Sequence, residues 1–561
     1  MAKNTKLILE IFSIAIVLVF ARCASQLPPD GGEVDKEPPK IVAVTPANGT
    51  VNYKEDYFEI TFSEYVDKKS VQDAVFISPA LKNILKYDWS GKTVTVYFND
   101  TLKAGMTYTV SIGSEVRDIN NANKMNDAVS FAFSTGEKID KGEINGIVYG
   151  EKLEGVSVFA FKENGKELNP EKNKPDYISQ VGVNGKYNIP GIADGNYYVF
   201  AIRDKFRDML YQKNEDEFGI QSRKIELKDQ FNRIEQVDFF LTSEDTIAPN
   251  VSTVFTKDRN HIQITFSKAV DSSKINSSNF LLIDTTNGKA IKPDYFFKGE
   301  GKLNQYSIAF KDTMEKKEGW ILISKNISDL FTNILKEEKT SVFVKTDKDT
   351  NALKLIKIVG NSIEGKVDYE RPKIILEFND AVDLTTVKEK SAVVDAKENK
   401  IKFEIEKIDD AAFTLSILEK LKQSSEYIYK LDLRKFTDSF GNKIDSLFQN
   451  KFSTTNELDF SGASGTITLK DTVQTIAILE SASFPKKFYQ QKINSKHQFG
   501  FKKVYPGKYL AWVFKDINHN NKYDFGKISP FKYSEEFKYY PDTLNLRARW
   551  PVGNISIDFQ K

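Results

Sequence analysis

One short pattern recurs along the chain and limits what it can fold into. Glu59-Ile-Thr-Phe-Ser-Glu-Tyr-Val-Asp67 returns as Gln263-Ile-Thr-Phe-Ser-Lys-Ala-Val-Asp271, and again as Leu376-Glu-Phe-Asn-Asp-Ala-Val-Asp383. Apolar residues alternate in each copy and the copy closes on Asp, so each reads as a half-buried strand entering a loop. The copies also end alike, on Phe131-Ala-Phe-Ser-Thr135, Val342-Phe-Val-Lys-Thr346 and Lys451-Phe-Ser-Thr-Thr455. A turn-rich segment precedes each closing strand: Asp118-Ile-Asn-Asn-Ala-Asn123, Asp329-Leu-Phe-Thr-Asn333 and Asp438-Ser-Phe-Gly-Asn442. Three units of about 100 residues, built of short alternating strands with turns between them, predict β-sandwiches.

A second repeat fills the remaining chain. Gly195-Asn-Tyr-Tyr-Val-Phe-Ala-Ile-Arg-Asp204 matches Gly507-Lys-Tyr-Leu-Ala-Trp-Val-Phe-Lys-Asp516. Gly146-Ile-Val-Tyr-Gly and Gly465-Thr-Ile-Thr-Leu open the two units, and Tyr187-Asn-Ile-Pro and Phe499-Gly-Phe-Lys lead into the Gly-x-Tyr strands. The first repeat resembles the bacterial Ig-like domains of surface-layer proteins, over 41–136, 247–348 and 349–456. The second resembles the transthyretin-like fold of carboxypeptidase regulatory domains, over 137–246 and 457–561. The resemblances imply an all-β string of five small sandwiches, three Ig-like and two transthyretin-like. Long amphipathic helices, Rossmann units and heptads are not evident.

The amino terminus reads as an address. Lys3 and Lys6 precede an apolar stretch from Leu7 to Ala21, interrupted by Glu10, so residues 1–22 have the layout of an export signal. That stretch is shorter than the roughly 20 residues a permanent membrane helix needs. The only cysteine, Cys23, follows at once and reads as a lipid attachment point. Pro28, Pro29, Pro38 and Pro39 with Gly31-Gly32 make 23–40 a tether. Cys23 and the Pro-Gly-Gly-acidic-Pro-Pro run resemble the mature start of Bacteroidota lipoproteins carrying Ig-like domains, although Phe20 and Arg22 depart from the usual lipobox. The resemblance implies an outer-membrane lipoprotein, on the cell surface or the periplasmic face.

Composition narrows the chemistry. The 561 residues carry 80 Lys+Arg against 78 Asp+Glu, which removes the electrostatic argument for a nucleic-acid partner. One Cys and three His, His261, His497 and His519, leave little material for thiolate or His-rich metal cages. Gly462-Ala-Ser-Gly465 lacks the spacing of a nucleophile elbow. No active site is expected. The sharpest local motif is Asp516-Ile-Asn-His-Asn-Asn-Lys-Tyr-Asp524, whose Asp516, Asn518, Asn520 and Asp524 occupy positions 1, 3, 5 and 9 of an EF-hand-style calcium loop. Position 6 is Asn521 in place of Gly, and position 12 is Lys527 in place of the closing Glu. The same residues also suit an Asx-stabilised turn. The sister module carries Asp204, Phe206, Asp208 and Gln212, which do not make a comparable site.

Two functional readings follow. One is a non-catalytic lipoprotein scaffold that presents surfaces to other envelope proteins, as a stalk or as an accessory subunit of an outer-membrane complex. The other is a glycan-binding or glycan-processing surface protein, for which Tyr539, Tyr540 and Trp550 are the candidate platforms. Asp-Thr and Asp-Ser pairs such as Asp245-Thr and Asp284-Thr resemble O-glycan acceptors of exported Bacteroidota proteins, and are equally good turn formers.

Overall fold

The computed structural model describes residues 35–559 except 82, 166, 229–232, 299–302 and 484. The signal segment, Cys23 and most of the tether lie outside the described residues. The chain is all-β, with short α-helices at Lys68–Ala74 and Leu384–Lys390. It divides into two compact units. One comprises Met1–Leu168, Lys174–Arg203 and Lys224–Phe239; the other comprises Asn169–Asn173, Asp204–Arg223 and Phe240–Lys561.

In the first unit, Ile41–Thr45, Tyr57–Phe62, Thr93–Tyr97 and Lys86–Ser90 form one antiparallel sheet in that order. A second sheet holds Val75–Ser78, Thr107–Ile112 and Val129–Ser134. The recurrent motif is the reason the two sheets close on each other. Its alternation sends Phe58, Ile60 and Phe62 inward, where they meet Val94, Val96, Phe98, Phe131 and Phe133. Glu59 faces outward and accepts a hydrogen bond from Thr95 Oγ1 across the sheet.

The segment after the motif departs from the expected loop. Asp67 accepts hydrogen bonds from the Lys69 and Ser70 amides and so caps the helix Lys68–Ala74. The third copy also forms a helix, Leu384–Lys390, without a side-chain cap. Seven residues carry too little period to be recognised in sequence.

The remaining strands of the first unit form two small sheets. One orders Tyr177–Gln180, Val156–Lys162, Gly195–Arg203 and Ile225–Leu227. The other orders Lys186–Ile192, Gly142–Tyr149 and Arg233–Ile234, the last pair parallel. That parallel return explains Gly146: a Cβ there would lie 2.2 Å from the Val237 carbonyl oxygen. Gly465 has the same role in the second unit, with the Ile555 carbonyl oxygen 2.1 Å away and Val552–Asp558 running parallel to Ser461–Thr468.

The second unit contains the two later copies of the first repeat. In one, Val251–Thr256, His261–Phe266, Gln305–Ala309 and Tyr295–Phe297 face Ala290–Ile291, Phe280–Asp284, Trp320–Ser328 and Ile334–Val342. In the next, Leu355–Gly360, Lys373–Phe378, Ala412–Ile417 and Phe403–Asp409 face Ser391–Asp395, Glu426–Thr437 and Lys443–Ser453. The former has its own core around Ile262, Ile264, Phe296 and Leu322, while its Tyr295, Phe297 and Ala309 pack into the core of the latter with Ile374, Phe413 and Leu415. The C-terminal segment places Ser461–Thr468 between Gln498–Val504 and Val552–Asp558. Its second sheet is built on Thr475–Ser481 and Gly507–Lys515.

Candidate functional site

The loop after Gly507–Lys515 brings its acids together. Asp516 is fully buried and accepts from the Asn520 amide at Oδ1 and the Asn521 amide at Oδ2, each at 3.0 Å. Asn518 Nδ2 and Asn520 Nδ2 both donate to Asp524 Oδ2, the latter at 3.2 Å. A further acid, which motif reading missed, staples the loop. Glu535 accepts from the Ile517 amide at 2.8 Å and from the Asp524 amide at 3.1 Å. Burial lifts the Glu535 carboxyl above the usual carboxylate range, and the Asp524 and Asp516 charges add to the shift. The loop is therefore held by Asp516 and Glu535, which accept from its own backbone amides, with the Asn518 and Asn520 side chains bonded to Asp524. Eleven residues separate Glu535 from Asp524, too far for a fixed-spacing motif to register.

The sister loop is built on the same plan and closed differently. Asp204 accepts from the Asp208 and Met209 amides, and Asp216 staples the Lys205 and Gln212 amides as Glu535 does in its own loop. Where the C-terminal loop has Asp524, Gln212 donates its own Nε2 to Asp208, at 3.1 Å and 2.9 Å to the two oxygens. An amide donor there closes the loop from within.

A second polar cluster lies where the two sandwiches of the second unit that carry the recurrent motif meet. His261 is 3% exposed; its Nδ1 is 2.9 Å from both Asp258 oxygens, and its Nε2 is 3.3 Å from Asp380 Oδ2. Asp349 brings a carboxylate oxygen within 4.8 Å of the His261 and Asp258 ligand atoms, and the Phe440 ring packs edge-on at 4.4 Å. Burial alone would depress the imidazole. The hydrogen bond to Asp258 and the charge of Asp380 at 3.3 Å overturn that and raise its pKa to about 10, so the ring is a buried cation at neutral pH. Tyr295 OH bonds Asp383 and Ser439 beside it, and Asp410 and Asp409 accept from the Phe296 and Lys298 amides.

The aromatic candidates separate. Tyr539 stacks on Trp512 at 5.6 Å within a cluster that includes Phe240, Tyr523, Phe525 and Phe537. Tyr540 is half-buried against the C-terminal core. Trp550 is 73% exposed, and its neighbours Arg549 and Pro551 line a cleft of about 520 Å³ with Phe460, Phe501 and Lys503. Ser464 of the Gly-Ala-Ser-Gly run lies exposed in mid-strand. Asp284 binds the Thr286 amide and hydroxyl as a turn former. Among the described residues no helix is long and apolar enough to cross a membrane.

Comparison with known proteins agrees with the sheet topology. A family model described as a bacterial Ig-like domain matches residues 35–135 and 349–454. None of the curated proteins matches the chain. Among solved structures, the N-terminal part of the bacterial S-layer protein SbsC is 17% identical over 37% of this chain, with a TM-score of 0.17. The match spans 45% of that structure. BcpA, the major pilin subunit of Bacillus cereus, is 10% identical over 74% of this chain and 99% of its own, with a TM-score of 0.16. An L,D-transpeptidase from Mycobacterium smegmatis is 15% identical over 23% of this chain and 63% of its own, with a TM-score of 0.15. Overlaps this loose bear on neither function nor partner. The two matched segments, 35–135 and 349–454, are similar in sequence to bacterial Ig-like domains, and each folds as paired sheets carrying the recurrent motif.

Proposed function

We propose that the chain is a non-catalytic β scaffold of the cell envelope, held to the outer membrane through a lipid on Cys23. Its Ig-like sandwiches and its two transthyretin-like modules present surfaces at fixed spacing to other envelope proteins. The observation that carries this reading is the seam between the sandwiches of 247–348 and 349–456. An apolar seam, in which Tyr295, Phe297 and Ala309 pack into the next sandwich's core, and a buried His261 cation between carboxylates make that pair a stiff strut rather than two beads on a string. Stiffness preserves the spacing of binding surfaces, which a scaffold needs. Affinity purification of the full chain from detergent extracts tests it. A stoichiometric membrane partner supports an accessory subunit and excludes a free stalk; a turnover assay that finds hydrolysis of envelope polymers removes the scaffold.

The C-terminal loop adds calcium to this reading, with Asp516, Asn518, Asn520 and Asp524 as ligands and Glu535 bracing the loop's backbone. Asn518 and Asn520 present oxygen once their amides rotate. The full chain is expected to melt several degrees higher in millimolar Ca²⁺ than in EDTA, with Asp516→Ala removing the part due to this loop.

A glycan-binding role is the second reading, favoured by exposed Trp550 beside its cleft. Binding on a glycan array that disappears with Trp550→Ala supports it; silence across the array removes it.

A further inference from the structure

The three copies of the first repeat each fold acidic side chains about one spot, and they neutralise it differently. The residues come from corresponding places: six positions before the first strand, three positions before the Asp that closes the recurrent motif, and the head of the closing turn. They are Asp35, Glu64 and Asp118 in the first copy, Asp245, Lys268 and Asp329 in the second, and Asp349, Asp380 and Asp438 in the third.

An Asn amide at the end of the turn ties each set. Asn123 Nδ2 donates to Asp118 Oδ2 at 2.8 Å and to the Asp35 carbonyl at 3.0 Å. Asn333 Nδ2 donates to Asp329 Oδ2 at 2.9 Å and to the Asp245 carbonyl at 2.8 Å. Asn442 Nδ2 donates to Asp438 Oδ2 at 3.2 Å and to Asp349 Oδ2 at 2.8 Å.

The second copy carries its own cation there. Lys268 Nζ lies 2.5 Å from Asp245 Oδ2 and 3.7 Å from Asp329 Oδ2, and donates to the Ile247 carbonyl. The third borrows one, the His261 imidazole against Asp380 and Asp349. In the first copy the position of Lys268 is taken by Glu64. Asp35, Glu64 and Asp118 each offer an oxygen, all within 4.8 Å of one another, and Asp118 is 2% exposed.

Nearby cations point elsewhere. Lys92 Nζ donates to the Ser63 carbonyl at 2.7 Å, Lys124 pairs with Glu115 and Glu154, and Arg117 pairs with Asp67. Burial lifts the Glu64 carboxyl, and the Asp35 and Asp118 charges lift it further despite Lys92.

We propose that Asp35, Glu64 and Asp118 bind a divalent cation, calcium in class, in the place held by the Lys268 ammonium in the second copy and the His261 imidazole in the third. The donors are all carboxylate oxygens, which suit a hard cation, and their spacing allows one ion at the ordinary 2.3–2.6 Å from each. The ion would fasten Asp35, where the chain arrives at the first sandwich, to the strand and turn that carry Glu64 and Asp118.

The test uses the full chain carrying Asp516→Ala, so that the C-terminal loop is silent and its failure is separable. Cleavage by endoproteinase Lys-C after exposed Lys36 reports opening beside Asp35. With Ca²⁺ at 100 times its Kd, cleavage should slow about 100-fold relative to EDTA. Glu64→Lys, which copies the second repeat, should protect Lys36 equally in Ca²⁺ and EDTA, and Glu64→Gln should weaken the calcium response in a folded chain. A cleavage rate indifferent to Ca²⁺, or a full calcium response surviving in Glu64→Lys, overturns the proposal.

Discussion

His261 sits among Asp258, Asp349 and Asp380 under the Phe440 ring, and its charge sets how the second unit responds to pH. Its folded pKa, about 10, exceeds the ordinary value of 6.5. Its contribution is therefore complete below about pH 6.5 and is lost as pH rises toward 10, at up to about 1.4 kcal/mol per pH unit. Urea unfolding at pH 6.5, 8 and 10 should show a falling difference between the wild type and His261→Ala. At pH 6.5 that substitution should cost about 3–5 kcal/mol, because it strands buried carboxylates without their cation. A constant difference across that range would contradict a charged imidazole. Conserved spacing does not mean a conserved task among the motif's terminal acids. Asp67 caps a helix, Asp271 binds Ser273 and Lys274, and Asp383 receives the Tyr295 hydroxyl. Asp67→Ala should cost about 1 kcal/mol by thermal melting.

At the scale of elements, Phe240 joins an aromatic cluster formed by residues far along the chain. Its ring lies 5.4 Å from those of Trp512 and Phe525, and 5.8 Å from that of Tyr523. Nearby, Ser534 donates its hydroxyl to the Ile220 carbonyl at 2.8 Å. Phe240→Ala should therefore destabilise the C-terminal module by about 2 kcal/mol, a half-buried ring with its edge-to-face partners. Hydrogen exchange in Gly507–Lys515 should accelerate with it, while exchange in Lys373–Phe378 stays unchanged. The strand motifs were legible because alternation fixes which face is buried: Phe58, Ile60 and Phe62 follow from the sequence alone. The helix after Asp67 was not, since one capped turn leaves no periodic trace.

For the whole molecule, anchoring and calcium make separable predictions. On the proposed lipid anchor, Cys23→Ala should move the protein from the membrane fraction to the soluble fraction, since several acyl chains on one cysteine give stable attachment. EDTA should leave fractionation unchanged while lowering the melting temperature, and the loss should shrink stepwise as Asp516→Ala and Glu64→Lys are combined. The sequence by itself determined the all-β class, the repeated sandwich motif and the Asp516 to Asp524 loop, because each is written in local spacing: alternation, turn chemistry and oxygen-bearing side chains at positions 1, 3, 5 and 9. Only the tertiary structure decided that Glu535 belongs to that loop, that His261 faces Asp380, and that Glu64 meets Asp35 and Asp118. Those acids and cations are brought together by strand pairing and sandwich packing across 11 to more than 100 residues, and no local pattern records which distant charge will answer which.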